Sequence, residues 1–189
     1  MKIEKFTLNS LYDSLPLSCC AYLPEGEPKG IFQIVHGMCE YKERYDDFMR
    51  FLAENGLIAA AHDHRGHGKS VKEEADLGWF GDKKARAVVE DAVLVTRKLK
   101  ERYPNLPVTL FGHSMGSMVV RCYIQNYDDE IDRLIVCGSP SKIRLRPRAW
   151  QWPKAWLWSR VSGTEAIPWH SFRRATGIRN SPAKERAPG

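Results

Sequence analysis

The sequence has no long apolar stretch: none of its uninterrupted apolar runs exceeds five residues, whereas a membrane-spanning helix needs about 20. Its first segment, MKIEKFTLNS, has an early acid and no apolar centre, so no secretory signal is visible. Cysteines are few and odd in number, five in 189 residues. We therefore interpret them as reduced thiols and predict a protein of the cytoplasm.

The overall composition excludes disorder, collagen and coiled coil, because 43% of the residues are hydrophobic and 28% are charged, as in globular proteins. The charge is unevenly distributed along the chain. Residues 1–141 carry 18 Lys and Arg against 21 Asp and Glu, whereas residues 142–189 carry 11 against 2 and hold five of the six Trp. We predict a globular part over 1–141 and a basic Trp/Arg/Pro-rich tail over 142–189.

Short apolar segments alternate with amphipathic segments in the first part. The predicted strands are 17–22, 31–35, 57–61, 108–111 and 134–137. Helical spacing of apolar residues predicts helices over 43–56, from Asp82 to before Pro104, and from Met115 to Cys122, and the first should end at Gly56. Continuous apolar strands separated by helices are typical of a mainly parallel sheet with helices on both faces. The predicted fold class is therefore α/β.

The motif Gly112-His113-Ser114-Met115-Gly116 follows one predicted strand and precedes a predicted helix. A G-x-S-x-G sequence at such a junction forms a strained turn that lifts the serine hydroxyl above the sheet. The helix N-terminus then points amide hydrogens toward a developing oxyanion. We predict that Ser114 is a nucleophile; the alternative is a glycine-rich turn that serves close packing alone.

A second motif, His36-Gly37-Met38-Cys39-Glu40, follows the strand predicted at 31–35. The backbone amide of Met38 is a candidate for one oxyanion donor, and that of Met115 for the other. The methionine side chains have no part in this prediction, because the donors are backbone groups.

Three histidines fall within six residues in the segment 62–70, HDHRGHGKS. The pattern resembles the HxHxDH metal motif of the metallo-β-lactamase fold, but Gly66 stands where that motif has its aspartate. We favour a polar turn after a strand, in which His, Asp and Arg bond each other and the loop backbone. No metal site is predicted.

Four segments carry a specific resemblance: HGMCEYKERYDDFMRFLAENG, AHDHRGHGKS, GWFGD and LFGHSMGS, which lie within roughly residues 31–117. They resemble the α/β-hydrolase superfamily in its monoacylglycerol lipase and lysophospholipase branch, often labelled serine aminopeptidase-like. The resemblance implies a serine esterase or lipase acting on acyl esters of glycerol or glycerophospholipid. It implies Ser114 as nucleophile, the Met38 and Met115 amides as oxyanion hole, and no metal or organic cofactor.

The chain departs from this family after Ser114. In the hydrolase order an acid and then a histidine follow the serine, but His170 is the only histidine after Ser114. The acids at 128–132 lie beyond a helix, about 18 Å from the elbow, which leaves Glu165 with His170 as the remaining pair. The family's cap and its last two strands have no counterpart, so we expect the hydrolase domain to be truncated after the strand ending near Cys137.

The tail over 142–189 shows neither helical nor strand periodicity and contains five Pro. Three interpretations compete. It is an out-of-frame extension, which we favour because the composition changes abruptly after a family-like strand. Otherwise it is a lid or a transient membrane-surface contact, or a basic aromatic nucleic-acid arm, which we do not favour.

Together these observations predict a serine hydrolase of acyl glycerol or lysophospholipid esters, seen as its N-terminal part, that is inactive because the triad acid and histidine are missing. The alternative is a non-catalytic α/β-hydrolase fragment or binding protein with a lid-like tail. The expected partner is an acyl-ester lipid, with no nucleic acid; the sequence does not indicate the oligomeric state.

Overall fold

A computed structural model describes residues 1–82 and 84–139 of the chain. The strands are β1 (Lys2–Asn9), β2 (Pro16–Leu23), β3 (Gly30–Val35), β4 (Leu57–His62), β5 (Val108–His113) and β6 (Arg133–Cys137). The α-helices are α1 (Asp46–Glu54), α2 (Lys84–Arg102) and α3 (Met115–Tyr123). All predictions about the tail concern residues outside this described part.

The six strands form one sheet in the order β1-β2-β4-β3-β5-β6. The strands β4, β3, β5 and β6 run parallel, and β1 and β2 form an antiparallel edge. The predicted mainly parallel α/β sheet is thus confirmed. Parallel strands place their carboxyl ends at one edge of the sheet, so the loops after β3, β4 and β5 meet there.

Helices cover both faces of the sheet, as predicted. Helix α1 buries Met49 and Leu52 against Phe32 and Ile34 on one face. On the other face α2 and α3 bury a larger set, which includes Val88, Ala92, Val119, Val120 and Tyr123, against β3 and β5. Each fully buried aliphatic side chain contributes about 1.5–3 kcal/mol relative to an exposed one, so these two layers hold the sheet between them.

Some predicted boundaries were wrong. The first helix begins with a 3-10 turn at Lys42–Tyr45 and is α-helical only from Asp46, although it ends as predicted before Gly56, whose φ of 87° needs a glycine. Helix α2 begins at Lys84 rather than Asp82. Strand β1 was not predicted, because only its pairing with β2, from Lys2 opposite Leu23 onward, reveals it as a strand.

Strand β6 lies at an edge of the sheet and, in the described part, pairs only with β5. Its Ile135 and Val136 remain 42% and 40% exposed. This is the last strand of the described residues. No helix there is both long and apolar enough to span a bilayer, and the five cysteines are free thiols.

Candidate active site

Ser114 lies between the end of β5 and the start of α3, with a φ of 53° and a ψ of −114°. An L-residue rarely adopts a positive φ, and such strain of about 1–3 kcal/mol persists only where the surroundings enforce it. The Ser114 amide donates to the Cys137 carbonyl at 3.0 Å, and its carbonyl accepts from the Ser117 amide at 3.0 Å. The backbone of the turn is therefore held by β6 and by the first turn of α3.

The glycines around Ser114 are required by close approach of the backbone. A Cβ on Gly116 would lie 2.0 Å from the Val35 carbonyl oxygen, and one on Gly112 would lie 2.5 Å from the Gly116 oxygen. A Cβ on Gly37 would lie 3.1 Å from the Ser114 Cβ. The loop after β3 thus runs directly against the serine, so the structure brings the two sequence motifs together.

The two predicted oxyanion donors flank this contact. Met38 follows Gly37 in the loop after β3, and its side chain is half exposed. Met115 is the first residue of α3, where amide hydrogens have no partner within the helix and carry the positive end of its dipole. Their role as donors stays a prediction.

Three further side chains, not predicted from the sequence, meet beside Ser114. The Glu40 Oε2 accepts hydrogen bonds from the Gly37 amide and the Tyr45 hydroxyl, both at 2.8 Å. The His113 Nδ1 lies 3.4 Å from the same oxygen and 3.2 Å from the Tyr45 hydroxyl. Burial opposes ionisation of Glu40, but these hydrogen bonds and the nearby imidazole hold the pKa of its carboxyl below the ordinary value.

No local pattern signals this cluster. Glu40 and His113 are 73 positions apart, and only the parallel pairing of β3 with β5 brings their loops together. The sequence signal that could have found it is the position of each residue, because both belong to a motif at a strand's carboxyl end.

Hydrogen bonds fix the loop after β4, and its prediction as a hydrogen-bonded turn is confirmed. Asp63 accepts from the Lys42 ammonium at 2.6 Å, from the Lys42 amide at 2.7 Å and from the Lys69 amide at 2.8 Å. Lys42 and Asp63 are both buried, at 2% and 0% exposure of their side chains. The Ser70 hydroxyl closes the loop by donating to the Asp63 carbonyl at 2.7 Å.

The histidines of this region are buried and neutral. His36 accepts the His64 amide at Nε2, which makes Nδ1 its donor to the Gly37 carbonyl, and His64 Nε2 faces the His36 carbonyl. Burial lowers the pKa of His36 to about 4, that of His62 to about 3 and that of His64 well below its ordinary value. In the described part no group of three or more His, Cys, Asp or Glu is arranged to hold a metal.

Arg65 anchors the loop to the rest of the domain. Its guanidinium is buried and bonds Asp91 on α2 at 2.8 Å, Ser10 at 2.8 Å and Asp13 at 3.0 Å. A cleft beside it is also lined by Trp79. None of the lining residues belongs to the elbow around Ser114, so this cleft is separate from the candidate site.

Two of the acids that follow Ser114 in the described part are engaged elsewhere. Glu130 binds Arg97 at 2.7 Å and Lys100 at 2.8 Å, both on α2. Asp132 accepts the amide of Val108 at 2.7 Å, at the amino end of β5, whereas Ser114 follows the carboxyl end. The prediction that this acidic cluster lies toward the opposite edge of the sheet agrees with these contacts. The pair Glu165 and His170 lies outside the described residues.

A mainly parallel sheet whose strand β5 turns through a strained serine into a helix defines an α/β-hydrolase. Residues 26–181 match the Hydrolase_4 family, serine aminopeptidase, S33, and the chain belongs to that family. It is similar to monoglyceride lipase from Homo sapiens, at 36% identity over 107 residues, which cover 57% of this chain and 34% of that protein. A monoglyceride lipase homolog of Monkeypox virus is 38% identical over 101 residues, covering 53% of this chain and 35% of that protein.

Among solved structures, the chain is similar to a highly thermostable carboxyl esterase from Bacillus coagulans in complex with glycerol. The TM-score is 0.69 and the identity 35%, over 74% of this chain and 45% of that chain. The chain spans about a third of the length of the two curated relatives it matches. These similarities agree with the resemblance to the monoacylglycerol lipase branch.

Proposed function

We propose that this chain carries the nucleophile-bearing part of a carboxylic ester hydrolase for acyl glycerols or lysophospholipids. Ser114 is the nucleophile, and the amides of Met38 and Met115 are the oxyanion donors. The observation that carries the proposal is the strained turn at Ser114, held between β5 and α3 with Gly37 against it. The names of the relatives, monoglyceride lipase and carboxyl esterase, support an acyl-ester lipid as substrate.

The proposed reaction is acyl transfer to Ser114 followed by hydrolysis. The Ser114 oxygen attacks the ester carbonyl carbon, the alcohol leaves with a proton, and water then hydrolyses the acyl-enzyme. The backbone amides of Met38, in the loop after β3, and of Met115, at the N-terminus of α3, stabilise the negative charge of each tetrahedral intermediate. The proposed reaction needs no metal or organic cofactor.

In the described part of the chain no histidine follows Ser114 to act as the general base. Of the described acids after Ser114, Glu130 is held by α2 and Asp132 by the start of β5. We therefore propose that hydrolysis by this chain is weak. In a serine hydrolase, loss of the triad histidine alone costs about 10⁶-fold in kcat.

The experiment is hydrolysis of p-nitrophenyl butyrate by the wild-type chain, Ser114→Ala, His170→Ala and Ser139→Ala. The Ser139 hydroxyl bonds Arg121 at 3.2 Å on α3, so Ser139→Ala is a serine control outside the proposed site. We expect a small rate that Ser114→Ala removes and the other two variants retain. A rate comparable to that of an intact lipase, removed by both Ser114→Ala and His170→Ala, would overturn the inactivity and assign the base to His170.

A non-catalytic fragment or binding protein is the second candidate, and the engagement of Glu130 and Asp132 elsewhere favours it. It predicts that the chain binds a monoacylglycerol analogue without any Ser114-dependent turnover. Isothermal titration with a non-hydrolysable ether analogue separates the two, since the hydrolase proposal requires turnover as well as binding.

We further propose that residues 142–189 are an out-of-frame extension, although the span matched to the family runs to residue 181. The change in charge from a deficit of 3 to an excess of 9 basic residues and the five Trp begin together near Ser141. Translation of the coding DNA after codon 141 in all frames should then give a cap, an acid and a histidine in another frame. The same Trp/Arg tail preserved in closely related genes would contradict this, and would favour a lid in which Trp150, Trp156 and Trp158 contact lipid.

A further inference from the structure

The two loops proposed to carry the oxyanion donors belong to different elements. The Met38 amide is in the loop after β3, and the Met115 amide is at the start of α3. The rate of ester hydrolysis depends on their separation, because a donor misplaced by about 1 Å costs about 10²-fold. Some contact between the two loops must therefore fix that distance.

The Glu40 carboxylate makes such a contact. Its Oε2 holds the amide of Gly37, the residue before Met38, at 2.8 Å. The same oxygen lies 3.4 Å from Nδ1 of His113, the residue before Ser114. One oxygen atom thus bridges the two loops immediately before each proposed donor or nucleophile.

Tyr45 braces this bridge from the 3-10 turn that precedes α1. Its hydroxyl donates to Glu40 at 2.8 Å and lies 3.2 Å from the His113 Nδ1. The Glu40 side chain is only 14% exposed, whereas that of His113 is 38% exposed. The carboxylate is therefore the more buried member of the cluster, and the imidazole is the more exposed one.

We propose that Glu40 is a positioning residue that couples the loop after β3 to the nucleophile turn, with Tyr45 as its brace. Its hydrogen-bonding contacts in the described part are with Gly37, Tyr45 and His113, not with Ser114. Its effect on hydrolysis rests on the proposed function of Ser114, but the coupling itself does not.

The coupling is tested by NMR on the whole chain with labelled glycine and histidine. The Gly37 amide proton and the His113 ring protons report on the two groups that lie against the Glu40 oxygen. In Glu40→Gln both signals should shift, because the carboxylate oxygen that they share is lost, whereas in Glu43→Gln neither should move.

A wild-type Gly37 amide that exchanges its hydrogen as fast as an unprotected amide would overturn the proposal, whether or not any variant folds. So would a folded Glu40→Gln chain in which either signal keeps its wild-type position. Tyr22→Phe is the matched control for Tyr45→Phe, because the Tyr22 hydroxyl makes the same kind of bond to a carboxylate, Asp46 Oδ1, at 2.7 Å. Only Tyr45→Phe should shift both signals.

The second readout is hydrolysis of p-nitrophenyl butyrate. Glu40→Gln should lower kcat about ten-fold or more with little change in KM, since misaligned donors weaken the transition state and not substrate binding. Glu43→Gln should retain both constants. An unchanged kcat in folded Glu40→Gln would refute the positioning role. A wild-type chain without Ser114-dependent turnover would refute the proposed function instead, and the NMR result alone would then decide the coupling.

Discussion

The two polar loops at the carboxyl edge of the sheet differ in how their side chains are used. The loop after β4 pairs its charges with residues of neighbouring elements: the Asp63 carboxylate accepts three hydrogen bonds, two of them from Lys42, and Arg65 binds two acids. The turn after β5 is held through its backbone and places Ser114 at a positive φ. Buried polar groups that are fully paired rigidify a fold, whereas strain enforced by the surroundings is a feature of reactive sites.

This comparison separates two motifs that look equally suggestive in the sequence. Three histidines in six residues suggest a metal site at least as readily as one G-x-S-x-G sequence suggests a nucleophile. In the structure all three histidines are buried. His64 and His67 lie against backbone carbonyls, whereas the ring nitrogens of His62 have no partner in the described part of the chain. The serine is at a turn where strand, helix and a second loop meet. The predictions below are ordered by the size of the expected effect on stability, and each can break the comparison.

The largest expected effect is a loss of unfolding free energy in acid, caused by the buried histidines in and around the loop after β4. The histidines 36, 62, 64 and 67 have a lowered pKa because they are buried. Below the ordinary value of about 6.5 the unfolded chain binds protons that the folded chain excludes, so stability is complete above that pH and is lost as the pH falls toward the folded values. Each group contributes a slope of up to about 1.4 kcal/mol per pH unit, so several kcal/mol should be lost between pH 7 and 5 in urea unfolding.

His62→Leu tests whether the buried histidines cause the loss of unfolding free energy with falling pH. Both ring nitrogens of His62 lack a partner in the described part of the chain, so its replacement leaves no orphaned hydrogen bond. The acid slope should become shallower by about 1.4 kcal/mol per pH unit, the contribution of one proton. An unchanged slope would mean that His62 is already protonated in the folded chain.

Asp63→Ala should cost about 3–5 kcal/mol of unfolding free energy. It removes the nearer acid of the buried Lys42 ammonium, whose other acid, Glu43, lies 3.2 Å away. Removal of one member of a buried pair is strongly destabilising. The control is Lys69→Ala, whose ion pair with Glu43 is exposed and should contribute less than about 1 kcal/mol. If Asp63→Ala does not fold, the double variant Asp63→Asn with Lys42→Met should restore folding. Equal costs for Asp63→Ala and the control would remove the distinction between the two loops.

Gly116→Ala should cost about 1–3 kcal/mol or more, because its Cβ would meet the Val35 carbonyl oxygen at 2.0 Å and backbone must move. Gly26→Ala is the matched control, since nothing lies within 4 Å of a Cβ there and its effect should be within about 0.5 kcal/mol. Thermal unfolding of the two variants compares them directly. A neutral Gly116→Ala would mean that α3 does not approach β3 as closely as the turn requires.

The sequence predicted the strands that are apolar along their whole length, and it predicted the helix end at Gly56, because these features are local. It missed β1, whose residues alternate between exposed and half-buried and which is defined by its partner β2. It also missed the contact of Arg65 with Asp91, 26 positions apart, and that of Glu40 with His113, 73 positions apart. Such contacts exist only once the sheet order is set, so no periodicity in the chain encodes them.

The smallest expected change in unfolding free energy is a stabilisation, whereas the changes above are destabilising. Ser114→Gly relieves the strain of a positive φ, since glycine adopts that conformation without a Cβ, and it should stabilise the chain by about 1 kcal/mol while removing any Ser114-dependent hydrolysis. Ser70→Gly, in the loop after β4, removes a buried hydroxyl that donates to Asp63 and accepts from Ser18 and should destabilise by about 1–3 kcal/mol. Urea unfolding of both variants measures the contrast. If Ser114→Gly destabilises as much as Ser70→Gly, Ser114 is a structural residue like its counterpart, and the strain at the turn is no evidence for a nucleophile.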